Sequence, residues 1–344
     1  MGLELVYRGE INNFYRNVYF PNLKFIERTD HFTIDDIVFP DIIFSKGVVL
    51  NQMSNKWMEL LEKSGIISNT IIANDTNSLS KLGVDKERFS GRMIAVQDCI
   101  PIPLECIVRG YYVKESESWA PYINNECNMY GNVLQYDLKD SERLSKPIYT
   151  PSIKGDINKP DLNISFAETI NVIKDFLIDK FQLDANEKLY IHSIAFTIAT
   201  AIRDISIKAY SYAHDYAIKR NIIIADAKLE FGIIVEKETG KRKIVIISEA
   251  FTPDTCRFWS TDTYQIGTAQ SSLDKQLIKR YIKKTYPNWY SSSKNKFPLL
   301  PINLLTEVSK TYWYILEKLF DKSFEEVTSQ LAWDWKFIQE NIFI

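Results

Sequence analysis

The segment Asp226-Ala227-Lys228-Leu229-Glu230-Phe231-Gly232 sorts its side chains by chemistry at a period of two. Successive residues of a strand point to opposite faces, so Asp226, Lys228 and Glu230 share one face while Ala227, Leu229 and Phe231 share the other. A sheet with one apolar face then holds two carboxylates and an ammonium side by side over solvent or a cleft. That trio suits a divalent metal and a phosphate. Magnesium takes carboxylate oxygens and keeps the rest of its octahedron for water and substrate phosphates, while a nearby lysine offsets phosphate charge. The same alternation also describes a half-exposed strand with ordinary surface charges.

The following residues narrow the choice. Lys237-Glu238-Thr239-Gly240-Lys241 is a polar turn with a glycine, and Ile244-Val245-Ile246-Ile247 is a short apolar run behind it, which together predict a hairpin. The hairpin returns the chain beside Asp226–Gly232 and delivers Ser248-Glu249, then Thr252-Pro253-Asp254-Thr255-Cys256-Arg257-Phe258-Trp259, to the same neighbourhood.

With these segments the chain resembles the SAICAR synthetases, the phosphoribosylaminoimidazole-succinocarboxamide synthases of purine biosynthesis. The likeness runs in order along nearly the whole chain: Gly9 to Tyr15, Thr29-Asp30 to Asp36, Lys46-Gly47, Pro103-Leu104-Glu105, Val108-Arg109-Gly110-Tyr111, Thr150-Pro151-Ser152, Lys154, Asp161, Asn163-Ile164-Ser165, Asp226 to Gly232, Thr252 to Trp259 and Asp274-Lys275-Gln276. The resemblance implies an α+β fold, with a small antiparallel β lobe, a larger mixed α/β lobe and an ATP cleft between them. It also implies a ligase that uses magnesium ATP to activate the carboxylate of CAIR (carboxyaminoimidazole ribonucleotide), which the amine of aspartate then attacks. A carboxylate is a poor acyl donor, and phosphorylating it supplies a leaving group, so the enzyme's task is charge neutralisation and alignment. By resemblance, Glu230 and Asp226 hold the metal, Lys228 faces the phosphate or activated carboxylate, and Arg109 and Arg257 grip anionic groups with their planar forks. Gly9, Glu10, Asn12, Lys46, Gln97 and Glu105 are the expected nucleotide-binding positions, and Asp161, Lys154, Ser116 and Lys279 the expected substrate-binding ones.

The departures from the family pattern are specific. In the opening loop Gly9-Glu10-Ile11-Asn12 stands where the family has Gly-Lys-x-Arg or Gly-Lys-x-Lys, placing an acid and an amide where cations face phosphate. Ser248-Glu249 replaces Asp-Glu, which removes one expected magnesium ligand and leaves Glu249 as its substitute. After Arg109-Gly110-Tyr111 a Gly-Ser is replaced by Val113-Lys114-Glu115-Ser116-Glu117-Ser118-Trp119, with two extra residues and Ser116 or Ser118 as stand-in. His31 stands for an arginine and Pro160 for a histidine. Three readings follow: a divergent purine-pathway enzyme, a paralogue joining a different carboxylate or amine, and a non-catalytic nucleotide-binding relative.

Composition agrees with a metabolic enzyme of the cytoplasm. The 344 residues, 45% hydrophobic with net charge −2, suffice for one large or two moderate cores and create no strong electrostatic field. No cluster of Lys and Arg interleaved with aromatics predicts nucleic-acid binding. Cys99, Cys106, Cys127 and Cys256 lack metal or secretory spacing and are expected as reduced thiols. Met1-Gly2-Leu3-Glu4-Leu5 opens without a signal-peptide pattern. The partners expected are small carboxylate and amine substrates, with no nucleic acid and no membrane; the oligomeric state is open, a homodimer included.

Along the chain, residues 1–98 predict a strand-rich lobe covering the nucleotide, with a helix from Asn51 to Leu61, and residues 99–344 a larger lobe holding the metal and substrate site. Asn124 to Ser145 is expected as an exposed excursion. Leu189 to Arg220 predicts a long amphipathic helix with Ile191, Ile194, Ile198, Ile205, Tyr212 and Tyr216 toward the sheet. His192 and His214 on it are expected as packing or surface residues. Asp274 to Lys284 and the last forty residues predict further helices, with Trp313, Trp333 and Trp335 as core or interface aromatics.

Overall fold

Short alternating segments near the start pair with their neighbours before the chain turns helical. Strands β1 (Leu3–Arg8), β2 (Asn12–Asn17) and β3 (Leu23–Arg28) form an antiparallel meander. After the hairpin β4 (His31–Ile34) and β5 (Ile37–Ile42), helix α1 (Lys46–Lys63), strand β6 (Ile71–Ala73) and helix α2 (Thr76–Lys81), strand β7 (Met93–Gln97) returns to β3, giving the sheet order β1-β2-β3-β7-β6. The computed structural model of the protein describes residues 2–35, 37–153, 161–289 and 297–329. Asp36, Lys154, Pro160, Trp333 and Trp335 therefore lie outside the described residues.

The start of α1 is fixed by close backbone approach. Gly47 lies so near β3 that a Cβ there would meet the Arg28 carbonyl oxygen at 2.2 Å. Its N–H donates to Asp30 Oδ1 at 2.8 Å, which satisfies one of the donors a helix start leaves unpaired. Helix α1 and the β4–β5 hairpin bury Trp57, Met53, Phe32 and Phe39 in the same core as Leu104 and Phe231, so this part of the chain packs into the larger lobe. The five-stranded sheet keeps its own smaller core around Tyr15, Phe25, Phe89 and Met93.

The chain crosses over through β8 (Ile100–Pro101) to β9 (Cys106–Tyr111). Short strands β10 (Asn128–Met129) and β11 (Asn132–Val133) precede β12 (Arg143–Tyr149), and β13 (Ser152–Ile153) pairs with β14 (Leu162–Asn163). The stretch expected as an exposed excursion instead sends Cys127, Met129, Leu138 and Leu144 into a separate core with Tyr112, Trp119 and Tyr122. Its polar residues hid a sparse set of apolar anchors that meet aromatics supplied by the preceding loop.

Helices α3 (Phe166–Lys180), α4 (Ala185–Leu189) and α5 (Ile191–Ile218) lead into β15 (Ile222–Val235). The face of α5 turned to the sheet is an alanine stripe, Ala195, Ala199, Ala209, Ala213 and Ala217, interrupted by Ile202 and Tyr210. The isoleucines and tyrosines expected there flank it, partly buried. Small side chains let the helix axis approach the sheet, while hydropathy alone gives more weight to the bulkier flank. His192 is exposed, and His214 is buried with Nε2 3.0 Å from Tyr111 Oη.

Strand β15 is the spine of the larger lobe. Its first half pairs with β9 and β17 (Cys256–Ser260), its second with β8 and β16 (Arg242–Ile247), so one 14-residue strand spans a six-stranded sheet. The predicted hairpin is present, with Val235 opposite Arg242. Helices α6 (Gln276–Thr285), α7 (Ile302–Phe320) and α8 (Phe324–Ser329) complete the described chain, and α7 buries Trp313 against α1, its indole N–H donating to Ser45 Oγ at 2.7 Å. Among the described residues no helix is long and apolar enough to cross a membrane, and all four cysteines are free thiols.

Candidate active site

Strand register builds the centre of the site. Asp226 on β15 stands opposite Arg109 on β9 and opposite Arg257 on β17, so two guanidiniums flank one carboxylate across three adjacent strands. Asp226 Oδ2 accepts from Arg109 Nη1 at 3.4 Å and from Arg257 Nη1. Arg109 is also oriented by Thr150, which accepts from its Nε at 2.9 Å. Burial, with Arg257 adding to it, pulls the Arg109 pKa down to about 10 against the pull of Asp226, so it stays charged at neutral pH. For Arg257, burial acts in the same direction but Asp226 and then Asp274 outweigh it and raise the pKa. Among the described residues the buried Arg257 Nε has no hydrogen-bond partner.

Two residues along β15, Lys228 donates from Nζ to Glu105 Oε1 at 2.6 Å. Burial alone lowers its pKa, yet Glu105, Glu230 and Asp161 outweigh that and hold the ammonium protonated well beyond neutral pH. Glu105 is buried, with Ser152 Oγ donating to its second oxygen at 3.2 Å. Glu230 follows on the same face of β15 and is half-buried. The alternation therefore holds: Ala227, Leu229 and Phe231 are buried in the core while Lys228 and Glu230 reach the other side.

Arg109, Asp226, Lys228 and Arg257 open onto a cavity of about 220 Å³, lined also by Ser116 and Lys275 among others; Glu105 and Glu230 are not part of its lining. It adjoins a second of about 340 Å³ that shares Ser116, Lys228 and Arg257 and adds Lys279. A third, of about 270 Å³, lies between α1, α2 and α8 and contains none of the expected residues.

Other expected residues sit elsewhere. Lys46 is 1% exposed and its Nζ pairs with Asp254 Oδ2 at 2.8 Å, so it braces α1 against the Thr252–Thr255 turn. Tyr312 donates to the other Asp254 oxygen at 2.9 Å; Lys46, then Lys275, overcomes the upward push of burial and holds that carboxyl below its usual range. Glu249 is also committed: Arg28 Nη1 lies 2.7 Å from Oε1 and Thr252 Oγ1 donates to Oε2 at 2.7 Å. Gly9, Glu10 and Asn12 form the β1–β2 turn, with Gly9 N–H donating to the Asn12 carbonyl and Glu10 exposed. Gln97 is exposed at the end of β7, its N–H bonded to the Thr70 carbonyl. None of these four lines the cavities that hold Lys228.

Sequence reasoning passed over three residues that matter here. Arg28 fixes Glu249 from the small sheet, Lys275 lines both adjoining cavities, and Asp274 is a buried carboxyl whose pKa burial pushes up to about 6. The motif Asp274-Lys275-Gln276 marked the last two, but nothing in it distinguished them from helix-start polarity.

A family model described as SAICAR synthetase matches residues 5–296. The chain belongs to the SAICAR synthetase family. Phosphoribosylaminoimidazole-succinocarboxamide synthase of Lachnospira eligens is 32% identical over 322 residues, covering 93% of this chain and 96% of the relative. The enzyme of the same name from Geobacter sulfurreducens is 32% identical over 321 residues, covering 93% and 95%. Among solved structures, SAICAR-synthase from Saccharomyces cerevisiae complexed with SAICAR superposes with a TM-score of 0.72 at 25% identity, covering 94% of this chain and 96% of that one. The α+β architecture expected from the sequence is that of the SAICAR synthetase family.

Proposed function

We propose that this protein is an ATP-dependent ligase that joins CAIR to L-aspartate and forms SAICAR in purine biosynthesis. The observation that carries the reading is the convergence of Arg109, Lys228 and Arg257 on one cleft, in a chain similar over nine-tenths of its length to enzymes of that name. Three cations on one cleft suit a reaction whose partners are a triphosphate, a phosphorylated carboxylate and a dicarboxylic amine. Arg109 and Arg257 bind and orient anionic groups, and their shared carboxylate Asp226 holds both forks in place. Lys228, kept protonated by Glu105, meets the charge that grows on the transferred phosphoryl or the activated carboxylate.

The donor set also fits a divalent ion of the magnesium type. No group of three acidic, histidine or cysteine side chains gathers among the described residues, but magnesium is commonly held by one or two carboxylates together with substrate phosphates. Glu230 is the first candidate on that face, with Asp226, four residues along β15, the second; Glu249, held by Arg28 and Thr252, serves to position the turn rather than to bind the ion. Such an ion supplies charge neutralisation between phosphate oxygens. Binding of ATP over Gly9, Glu10, Asn12 and Gln97 and of substrate by Asp161, Ser116, Lys279 and Lys154 is part of the same proposal, with an N-terminal lobe to residue 98 covering the nucleotide and a cytoplasmic enzyme as its setting.

The test is direct. Purified protein given ATP, magnesium, CAIR and aspartate should release ADP and form SAICAR only when all four are present. Silence with this mixture overturns the reading, and ADP release with another carboxylate and amine moves it to a paralogue.

A further inference from the structure

The cations of α6 are bridged to two loops. Arg280 forms a two-pronged pair with Glu115, Nη2 to Oε1 at 2.6 Å and Nε to Oε2 at 3.2 Å, and its third nitrogen, Nη1, donates to the Gln270 carbonyl at 2.7 Å. Lys279 Nζ donates to Asp35 Oδ1 in the turn between β4 and β5. Lys283 Nζ reaches only to 3.9 Å from Glu117 Oε1. Asp35, Glu115, Glu117, Lys279, Arg280 and Lys283, with Lys275, line the cavity of about 340 Å³ that continues the Lys228 cleft. Among the described residues four cations there face three carboxylates, and two further cations, Lys228 and Arg257, are matched by Glu105 and Asp226.

We propose that Asp35 and Glu115 are specificity-determining groups, internal stand-ins for a phosphomonoester dianion that takes their place on Lys279 and Arg280. Resting on the reading that this cleft accepts a phosphorylated substrate, the inference adds what holds the cleft while it is empty and which ligands are admitted. A dianion replaces two singly charged carboxylates with no change in net charge, whereas a monoanion leaves one cation unmatched. The arginine fork that now grips a carboxylate grips phosphate with the same two-point geometry. Both acids can yield: their side chains are each 37% exposed, and ion pairs so placed contribute only about 1.4- to 5-fold each to an equilibrium. Asp226 and Glu105, 9% and 4% exposed, have no such freedom.

The experiment measures ribose 5-phosphate binding by calorimetry to the full chain, with ribose as the uncharged control. Wild type, Glu115→Gln, Asp35→Asn, the double variant and Glu117→Gln are compared. The double variant should bind ribose 5-phosphate about 2- to 30-fold tighter than wild type, with each single variant between the two. Glu117→Gln, whose carboxylate is 87% exposed and stands off from its lysine, should change affinity by less than either single variant. Unchanged or weaker binding in the double variant, where wild type binds the probe, overturns the exchange and leaves the ligase reading standing. An effect of Glu117→Gln equal to the others overturns it too, by showing a diffuse field instead of two specific contacts. If no protein binds the phosphate ester beyond ribose, both the exchange and the phosphorylated-substrate reading fall.

Discussion

Removing Lys228 separates the two things its ion pair does. At 2.6 Å and an effective dielectric near 20 the Coulomb attraction to Glu105 is about 6 kcal/mol before costs are counted. Two effects reduce it: Glu105, 4% exposed, loses hydration, and Lys228, 34% exposed, is partly screened by water. In Lys228→Met, Glu105 keeps the hydrogen bond from Ser152 but loses its cation, and the unfolding free energy should fall by about 2–3 kcal/mol. Adding Glu105→Gln removes the stranded charge, and the double variant should recover to within about 1 kcal/mol of the parent. Turnover should not recover: both variants that lack the ammonium lose about 10²- to 10³-fold in kcat, the usual cost of a charge-stabilising group. Because the folded pKa of Lys228 is raised, the pair's contribution is fully present below its ordinary value of about 10.4 and is lost only as pH rises through the folded value, so measurements at pH 7 and 8.5 should agree. Urea unfolding and steady-state ADP release check both halves. A double variant that regains turnover, or a Lys228→Met protein as stable as its parent, refutes the reasoning.

Three further outcomes are expected. Asp274 has its carboxyl pKa raised by burial from 3.8 to about 6, so the stability it lends below pH 4 is lost as pH rises through 6; relative to the parent, Asp274→Asn should gain about 3 kcal/mol between pH 4 and pH 7, and a constant difference in urea melts would contradict this. A Cβ on Gly110 would lie 2.0 Å from Tyr210 Oη, itself bonded to the Ile224 carbonyl, so Gly110→Ala should cost about 1–3 kcal/mol in thermal unfolding and lower kcat by shifting the adjacent Arg109. Arg28→Met strands Glu249 in the interior and frees the Ser248 carbonyl and Ser54, so it should cost about 3–5 kcal/mol by chemical denaturation, which a fully stable variant would disprove.

The chemistry of β15 was legible in the sequence because a strand's two-residue period is local and its charged face is short and unbroken. The hairpin behind it was legible for the same reason. What could not be read was register between strands far apart in the chain: that Arg109 and Arg257 meet on one carboxylate depends on pairings that span 117 and 31 residues. Lys46 and Glu249 show the complementary limit. Each is a charged residue at a motif position, yet each is paired with a buried partner, Asp254 or Arg28, and burial of a charge is decided by tertiary packing rather than by neighbours in sequence. Helix α5 was identified by its period but its seating was not, because alanines that set a close approach carry little hydropathic weight.

The charges of the cleft form a graded series, and the gradation follows from where the strands end. At the centre, Asp226 is locked between two arginines by the registers of β9, β15 and β17, so its pairs can shift only if the sheet does. One step outward, Glu105 is buried beside a lysine that still reaches solvent. At the rim, Asp35 and Glu115 sit on loops with more than a third of each side chain exposed. A cation used to bind anions must be charged and oriented before the substrate arrives, which an internal carboxylate achieves, but that carboxylate then competes with the substrate. Inner pairs, unable to leave, preorganise the arginines and the lysine that meet the reacting groups. Rim pairs, loosely held, can be exchanged. The same ion-pair chemistry thus serves positioning where backbone register fixes the acid and admission where a loop carries it.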